Sequence, residues 1–185
     1  MNVAVYSGSF NPLHKGHLAI IRYLTQQAGF DLVYLVVTPQ NPFKATHSLP
    51  AGQARFDAAV EAVSRYPDLK VKLLDIELKM TPPQYTIRTL DTLKALEPEN
   101  DFTLVIGADN LAGFQGWLYH ERILREYGVV VFPRKGYHRG HARQRLLRED
   151  PSYRITLLKA PLVTISSTDI RKGQAAGKDM SNWLM

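Results

Sequence analysis

Apolar runs of strand length recur along this chain with helical patterns between them, and that alternation is what most restricts the folds open to it. The runs are "NVAVY" (2–6), "LVYLVV" (32–37), "VKLLDI" (71–76), "FTLVI" (102–106), "VVVF" (129–132), "RITLL" (154–158) and "LVTI" (162–165). Several are continuous and β-branched rather than alternating, the pattern of strands covered on both faces of a parallel sheet. Between them, Leu18, Ile21, Leu24 and Ala28 share one helical face, as do Phe56, Ala59, Val60 and Val63, and Ile87, Leu90, Leu93 and Leu96. The pattern predicts a three-layer α/β sandwich with a mostly parallel sheet and right-handed crossovers. No internal repeat, low-complexity tract or long linker divides the sequence, so residues 1–185 are expected to form a single domain.

Composition narrows the classes further. The chain is 45% hydrophobic and 22% charged, as in ordinary globular proteins. No stretch approaches the roughly 20 apolar residues of a membrane span, and "MNVAVYSG" lacks the basic and apolar regions of a secretion signal. The absence of cysteine rules out disulfides and thiolate metal sites and fits a cytoplasmic location. Net charge is +6, and much of the excess lies in Arg134, Lys135, Arg139, Arg143, Arg145, Arg148 and Arg154. That segment could face nucleic acid, attract small phosphates to a pocket rim, or be a solvated outer helix. "HARQRLLRED" has Leu146 and Leu147 as its only large apolar residues and no interleaved aromatics. A solvated helix face is therefore expected, with no nucleic-acid partner.

In an open parallel sheet, ligands bind outside the carboxyl ends of the strands. The unusual chemistry of this sequence falls just after predicted strands: Ser7 to His17, Thr38 to Lys44, Gly107 to Asp109, Pro133 to Gly136 and Ser166 to Arg171. In "GSFNPLHKGH" (8–17), His14 and His17 lie three apart, on one side of the first turn of the next helix. Partial positive charge at that end favours an anion. Gly16, lacking a Cβ, is expected to leave room for a phosphate between the rings. Two readings compete: a metal pair, although no further ligand lies nearby in sequence, and histidines that are satisfied structural residues. In "TISSTDIRKG" (164–173), hydroxyl residues cap a short helix at the end of a strand, and Arg171 lies one turn on with a planar fork suited to phosphate oxygens. Asp109 closes the strand in "IGAD", placed either to hold ribose hydroxyls or to cap a helix. Trp117 could stack on a ring or fill the core; Lys44 follows "NPF" in a proline-rich loop; Arg134 follows "VVVF".

"GSFNPLHKGH" resembles the T/HxGH signature of the nucleotidyltransferase superfamily, and "ISSTDIR" resembles its C-terminal partner. "TPQNPFK" (38–44), "YTIRTL" (85–90), "IGADNLAGFQGW" (106–117) and "PRKGY" (133–137) are similar, in order and spacing, to segments of bacterial nicotinate mononucleotide adenylyltransferases. The resemblance covers residues 3 to about 173. It implies a Rossmann-like nucleotidyltransferase fold and transfer of AMP from ATP to nicotinate mononucleotide, giving deamido-NAD and pyrophosphate. By that likeness His14, His17 and Arg171 are the catalytic residues. Gly8, Ser9, Phe10, Gly107, Asp109, Ser167 and Thr168 join them in binding ATP. Lys44, Thr86, Trp117 and Arg134 take the acceptor. Mg²⁺ is expected to accompany the triphosphate without dedicated protein ligands. Departures are Arg88, where the family often has Asp, His120, where a second aromatic is common, and Lys135, where proline is common. The alternatives are a related transferase acting on nicotinamide mononucleotide or another phosphorylated acceptor, and a non-catalytic nucleotide-binding homologue.

Overall fold

The β-branched runs pair into one six-stranded, all-parallel sheet. The computed structural model describes residues 1–39 and 51–185. The strands are β1 (Asn2–Gly8), β2 (Leu32–Val37), β3 (Val71–Leu74), β4 (Asp101–Gly107), β5 (Val129–Phe132) and β6 (Ile155–Leu157), in the order β3-β2-β1-β4-β5-β6. β1 and β4 lie side by side at the centre, with Tyr6 in register with Val105. Helices α1 (Lys15–Gln26) and α2 (Gly52–Ser64) cover one face. α3 (Thr86–Leu96), the short α4 (Ala108–Ala112) and α6 (Arg139–Glu149) cover the other, with α5 (His120–Arg122) joining α4 to β5. α7 (Ser167–Ala175) follows β6. Because every strand runs the same way, the β1–α1 turn, the β4–α4 turn and the start of α3 gather at the carboxyl end of the sheet.

One expected strand is missing. "LVTI" (162–165) is irregular: Leu162 is exposed, and Val163 packs instead toward Gly16 of α1. After the edge strand β6 the chain must return across the end of the sheet to bring α7 beside β1, so this apolar run is a crossing segment without a pairing partner. Nor do all the predicted helical faces hold. Val60 is 44% and Leu96 70% exposed, while α2 buries Arg55, Ala59 and Ala62. An arginine at a stripe position rotates the buried face away from the one that apolar periodicity selects.

Four arginines of the basic segment bond backbone carbonyls, while Lys135, Arg145, Arg148 and Arg154 lie exposed. Arg139 donates to the carbonyls of Val131 and Leu158, Arg143 to Ile155 (2.8 Å) and Arg145 to Ala112 (2.9 Å). Arg154 donates to the carbonyls of Arg125 and Glu126. Of these carbonyls, Ile155 and Leu158 lie in or beside the edge strand β6, which would otherwise be open to another chain. His120, which stands where a second aromatic is common, is buried and meets Glu149 at 2.8 Å. No helix among the described residues is long and apolar enough to cross a membrane.

Glu77 is 3% exposed and accepts a 2.8 Å hydrogen bond from the Thr89 hydroxyl. Burial pushes its carboxyl up from 4.5 to about 7, against the opposing effect of Thr89. The folded protein therefore retains a proton that the unfolded chain loses, and stability falls as pH rises from about 4.5 to about 7. Glu77→Gln is expected to remove that part of the slope and raise stability above pH 7 by up to about 3 kcal/mol. Thermal unfolding of both proteins across this range checks the difference.

Candidate active site

α1 begins with a reciprocal cap made by two histidines. His14, in extended backbone (φ −140°, ψ 174°), is the N-cap, and its Nδ1 accepts from Gly16 N–H at 3.0 Å. His17 Nδ1 accepts from His14 N–H at 3.1 Å. Each Nδ1 is an acceptor, so each neutral ring carries its proton on Nε2, at the opposite edge. The rings lie 3.7 Å apart between centroids, tilted by 31°. Burial is the main reason both are held neutral. It lowers His14 to about 4, with Arg134 adding to the effect and Asp169 opposing it. Burial also lowers His17 well below its ordinary value, helped by His14 and Arg134. The site thus presents two Nε2–H donors and no imidazolium.

Gly16 has a packing role beside the one expected. A Cβ there would lie 2.4 Å from Val163 and 2.8 Å from the His14 ring. Its missing side chain makes room for the capping imidazole and the returning segment at Val163, and Gly16 also lines the cavity between the helix mouths.

α7 supplies the second helix mouth. Ser166, not a strand end, is the N-cap; its hydroxyl accepts from Asp169 N–H at 3.1 Å while Asp169 accepts from Ser166 N–H at 3.0 Å. That box leaves the N–H groups of Ser167 and Thr168 without partners inside the helix. Ser167 donates its hydroxyl to Pro12 carbonyl (2.9 Å), and Arg171 reaches Asn11 carbonyl (2.6 Å) and Thr168 (3.1 Å). α7 is therefore tied directly to the loop before α1.

A cavity of about 270 Å³ lies between these mouths. Its lining includes Gly8, Ser9, Phe10, His14, His17, Gly107, Ser167, Thr168 and Arg171 from the expected nucleotide set. Arg134, expected on the acceptor side, lines this cavity too. Asp109, the second residue of α4 rather than a strand end or N-cap, stands 3.6 Å from Arg134. Asp109 Oδ1 and Arg134 Nε are shielded from solvent and hydrogen-bond to no described residue, facing each other at ion-pair distance. Gly107 permits this placement, since a Cβ there would lie 2.5 Å from Asp109 Oδ1.

Thr86 and Trp117 meet elsewhere, in a slot lined by Gln84, Tyr85, Thr86, Gly116, Trp117 and Leu118. Trp117 packs on Phe114 at the core's edge (4.7 Å between ring centroids, tilted by 30°) and also lines the slot. Tyr85, the N-cap of α3, provides no side-chain cap, so the first N–H groups of that helix remain available where the slot lies. Lys44 lies outside the described residues. Sequence reasoning passed over Tyr6, Phe132 and Asn110 on the cavity wall, and Arg55, which donates to the carbonyls of Ser9 and Thr38 at 2.8 Å each. Only its position on the inner stripe of α2, with Ala59 and Ala62, could have marked Arg55. Among the described residues no group of three or more His, Cys, Asp or Glu could hold a metal ion.

A parallel sheet whose carboxyl end carries two anion-ready helix mouths around one cavity defines a nucleotide-handling α/β protein. The cytidylyltransferase-like family model matches residues 5–173, and the chain belongs to that family. Its relatives include a Bacteroides fragilis protein named probable nicotinate-nucleotide adenylyltransferase, 39% identical over 180 residues (97% of this chain, 85% of that one). A Cytophaga hutchinsonii protein of the same name is 40% identical over 171 residues (92% and 84%). Among solved structures, Plasmodium falciparum nicotinic acid mononucleotide adenylyltransferase complexed with NaAD shares the fold, with a TM-score of 0.77 at 22% identity over 98% of this chain and 87% of that one.

Both imidazoles should be neutral Nε2–H tautomers at pH 7 in the free protein, and bound inorganic triphosphate should raise both pKa values. Nitrogen-detected NMR titration reads the tautomers and the shift directly. Gly16→Ala should cost about 1–3 kcal/mol of stability by overpacking, measured by denaturant unfolding.

Proposed function

We propose that this chain is a nicotinate mononucleotide adenylyltransferase, transferring AMP from MgATP to the acceptor's 5′-phosphate to give deamido-NAD and pyrophosphate. The observation that carries the reading is the convergence of two helix mouths, two neutral Nε2–H donors and Arg171 on one cavity. Relatives named for this activity, at 39% and 40% identity, support it.

An acceptor phosphate oxygen attacks the α-phosphorus of ATP in line with the bridge to the β-phosphate. The new P–O bond forms as that bridge breaks, and pyrophosphate leaves with its electron pair. No protein nucleophile is needed: positioning and electrostatic stabilisation of the transferring group supply the rate. His14 and His17 donate Nε2–H bonds that strengthen as charge builds on the phosphoryl oxygens and leaving group. Arg171 and the N–H groups of Ser167 and Thr168 hold the triphosphate, and Gly8, Ser9 and Phe10 line its nucleotide through their backbone. Asp109, beside Gly107, takes the adenosine ribose hydroxyls. Mg²⁺ enters as part of the substrate, and no protein ligand is assigned to it.

On the acceptor side, Trp117 stacks on the pyridine ring beside Thr86, and Arg134 with Lys44 engages the phosphate. The uncapped start of α3 favours an acidic acceptor, since the helix dipole and its free N–H groups stabilise a carboxylate more than a neutral amide. The reading includes one nucleotidyltransferase domain over residues 1–185, a cytoplasmic setting and no nucleic-acid partner.

Pyrophosphate release with ATP, Mg²⁺ and the nicotinate, nicotinamide or pantetheine phosphate acceptor tests the whole reading. Turnover is expected with the nicotinate acceptor, favoured over the amide by about tenfold or more in kcat/KM. Absence of turnover with all three would sink the enzyme reading; a preference for the amide would overturn the acceptor. His17→Ala should lower kcat by about 10²-fold or more, and an unchanged kcat would remove its assigned role.

A further inference from the structure

We propose that Arg88 is a positioning residue for the acceptor, setting the wall of the Thr86–Trp117 slot through the loop that precedes α3. The inference rests on the assignment of that slot to the acceptor.

The loop contains Pro82 and Pro83, joined by a cis peptide bond, which contribute carbonyls but no N–H donors. It therefore cannot close on itself through its own backbone at these positions. Arg88 Nη1 supplies the missing donors, bonding the carbonyls of Thr81 (2.7 Å) and Pro83. Arg88 is itself fixed in the first turn of α3, its N–H donating to Tyr85 carbonyl at 3.0 Å. Gln84 closes the other side, its Nε2 donating to Met80 carbonyl at 3.0 Å. The residues that follow the clamp without interruption, Gln84, Tyr85 and Thr86, form one wall of the slot; Gly116, Trp117 and Leu118 form the other. One guanidinium thus fixes the approach of the chain to the helix N-terminus that faces the slot. None of its partners lines the nucleotide cavity, so the effect should fall on the acceptor alone. Both bonds are charge-assisted and come from one guanidinium nitrogen, whose position is set by the planar fork, where a lysine would offer a differently placed ammonium on a flexible stem.

The test compares Arg88→Met, which keeps the stem and loses the donors, with Arg88→Lys. A Trp183→Phe background leaves Trp117 as the only tryptophan, because the chain has two. Its fluorescence then reports nicotinate mononucleotide binding without turnover. Arg88→Met should weaken acceptor binding and raise its KM by about tenfold or more, with the KM for ATP unchanged. Arg88→Lys should recover part of that loss. Unchanged acceptor affinity in a folded Arg88→Met protein would overturn the proposal, as would a parallel rise in both KM values. If Arg88→Met does not fold, Arg88→Gln, which retains one amide donor, is judged by the same criteria. Failure of the parent protein to bind or turn over nicotinate mononucleotide would instead strike the underlying functional reading, before any variant is compared.

Discussion

His14 and His17 each give an Nδ1 to a backbone N–H at the start of α1, and the candidate site depends on that exchange. It fixes the helix start and the tautomer of both rings in one step. With Nδ1 accepting, Nε2 must donate, and burial removes the competing imidazolium state. A capping box is ordinarily a stability device built from hydroxyl and carboxylate side chains. Built from imidazoles, it becomes a pair of oriented donors at the positive end of a helix. Such donors gain strength from a phosphate without carrying a formal charge that would bind ground-state anions indiscriminately.

The cap in turn requires support from distant parts of the chain. Val163 fills the space beside Gly16, Ser167 and Arg171 bond the carbonyls of Pro12 and Asn11, and Arg55 bonds the carbonyl of Ser9. The loop from Ser9 to Pro12 is thus held by groups from α2 and α7, on two sides. This is how an irregular turn achieves the rigidity that electrostatic catalysis demands, since preorganised donors are effective only if they do not relax when charge develops.

Much of the fold was legible because buried parallel strands leave a local record. "NVAVY", "LVYLVV" and "VVVF" announce themselves as apolar, β-branched runs, and they are central in the sheet. "LVTI" carries the same record and is not a strand, since a run of residues says nothing about whether a neighbouring strand has a free edge to offer. The two helix mouths were also visible, for capping and anion chemistry depend on residues close in sequence. Gly16 shows the limit: its need for space was evident, but the occupant of that space comes from residue 163. Arg55 was hidden for a related reason. A charged residue on a helix reads as surface unless the carbonyls that will receive it are known in advance.

Arginine chemistry links the charge balance to both sides of the site. The +6 net charge left open a surface that could meet an extended anion, although a solvated helix face was expected. Instead, Arg55, Arg88, Arg139, Arg143, Arg145 and Arg154 all turn toward backbone carbonyls. A guanidinium bonded to carbonyls keeps its charge but loses the freedom to follow a flexible polyanion. Arg134 is different: its Nε faces Asp109 at a distance too long for a hydrogen bond, within the cavity wall. Arg134 at the carboxyl end of β5 and Arg171 in the first turns of α7 thus set positive charge on the cavity wall, where a small phosphate compound can meet it.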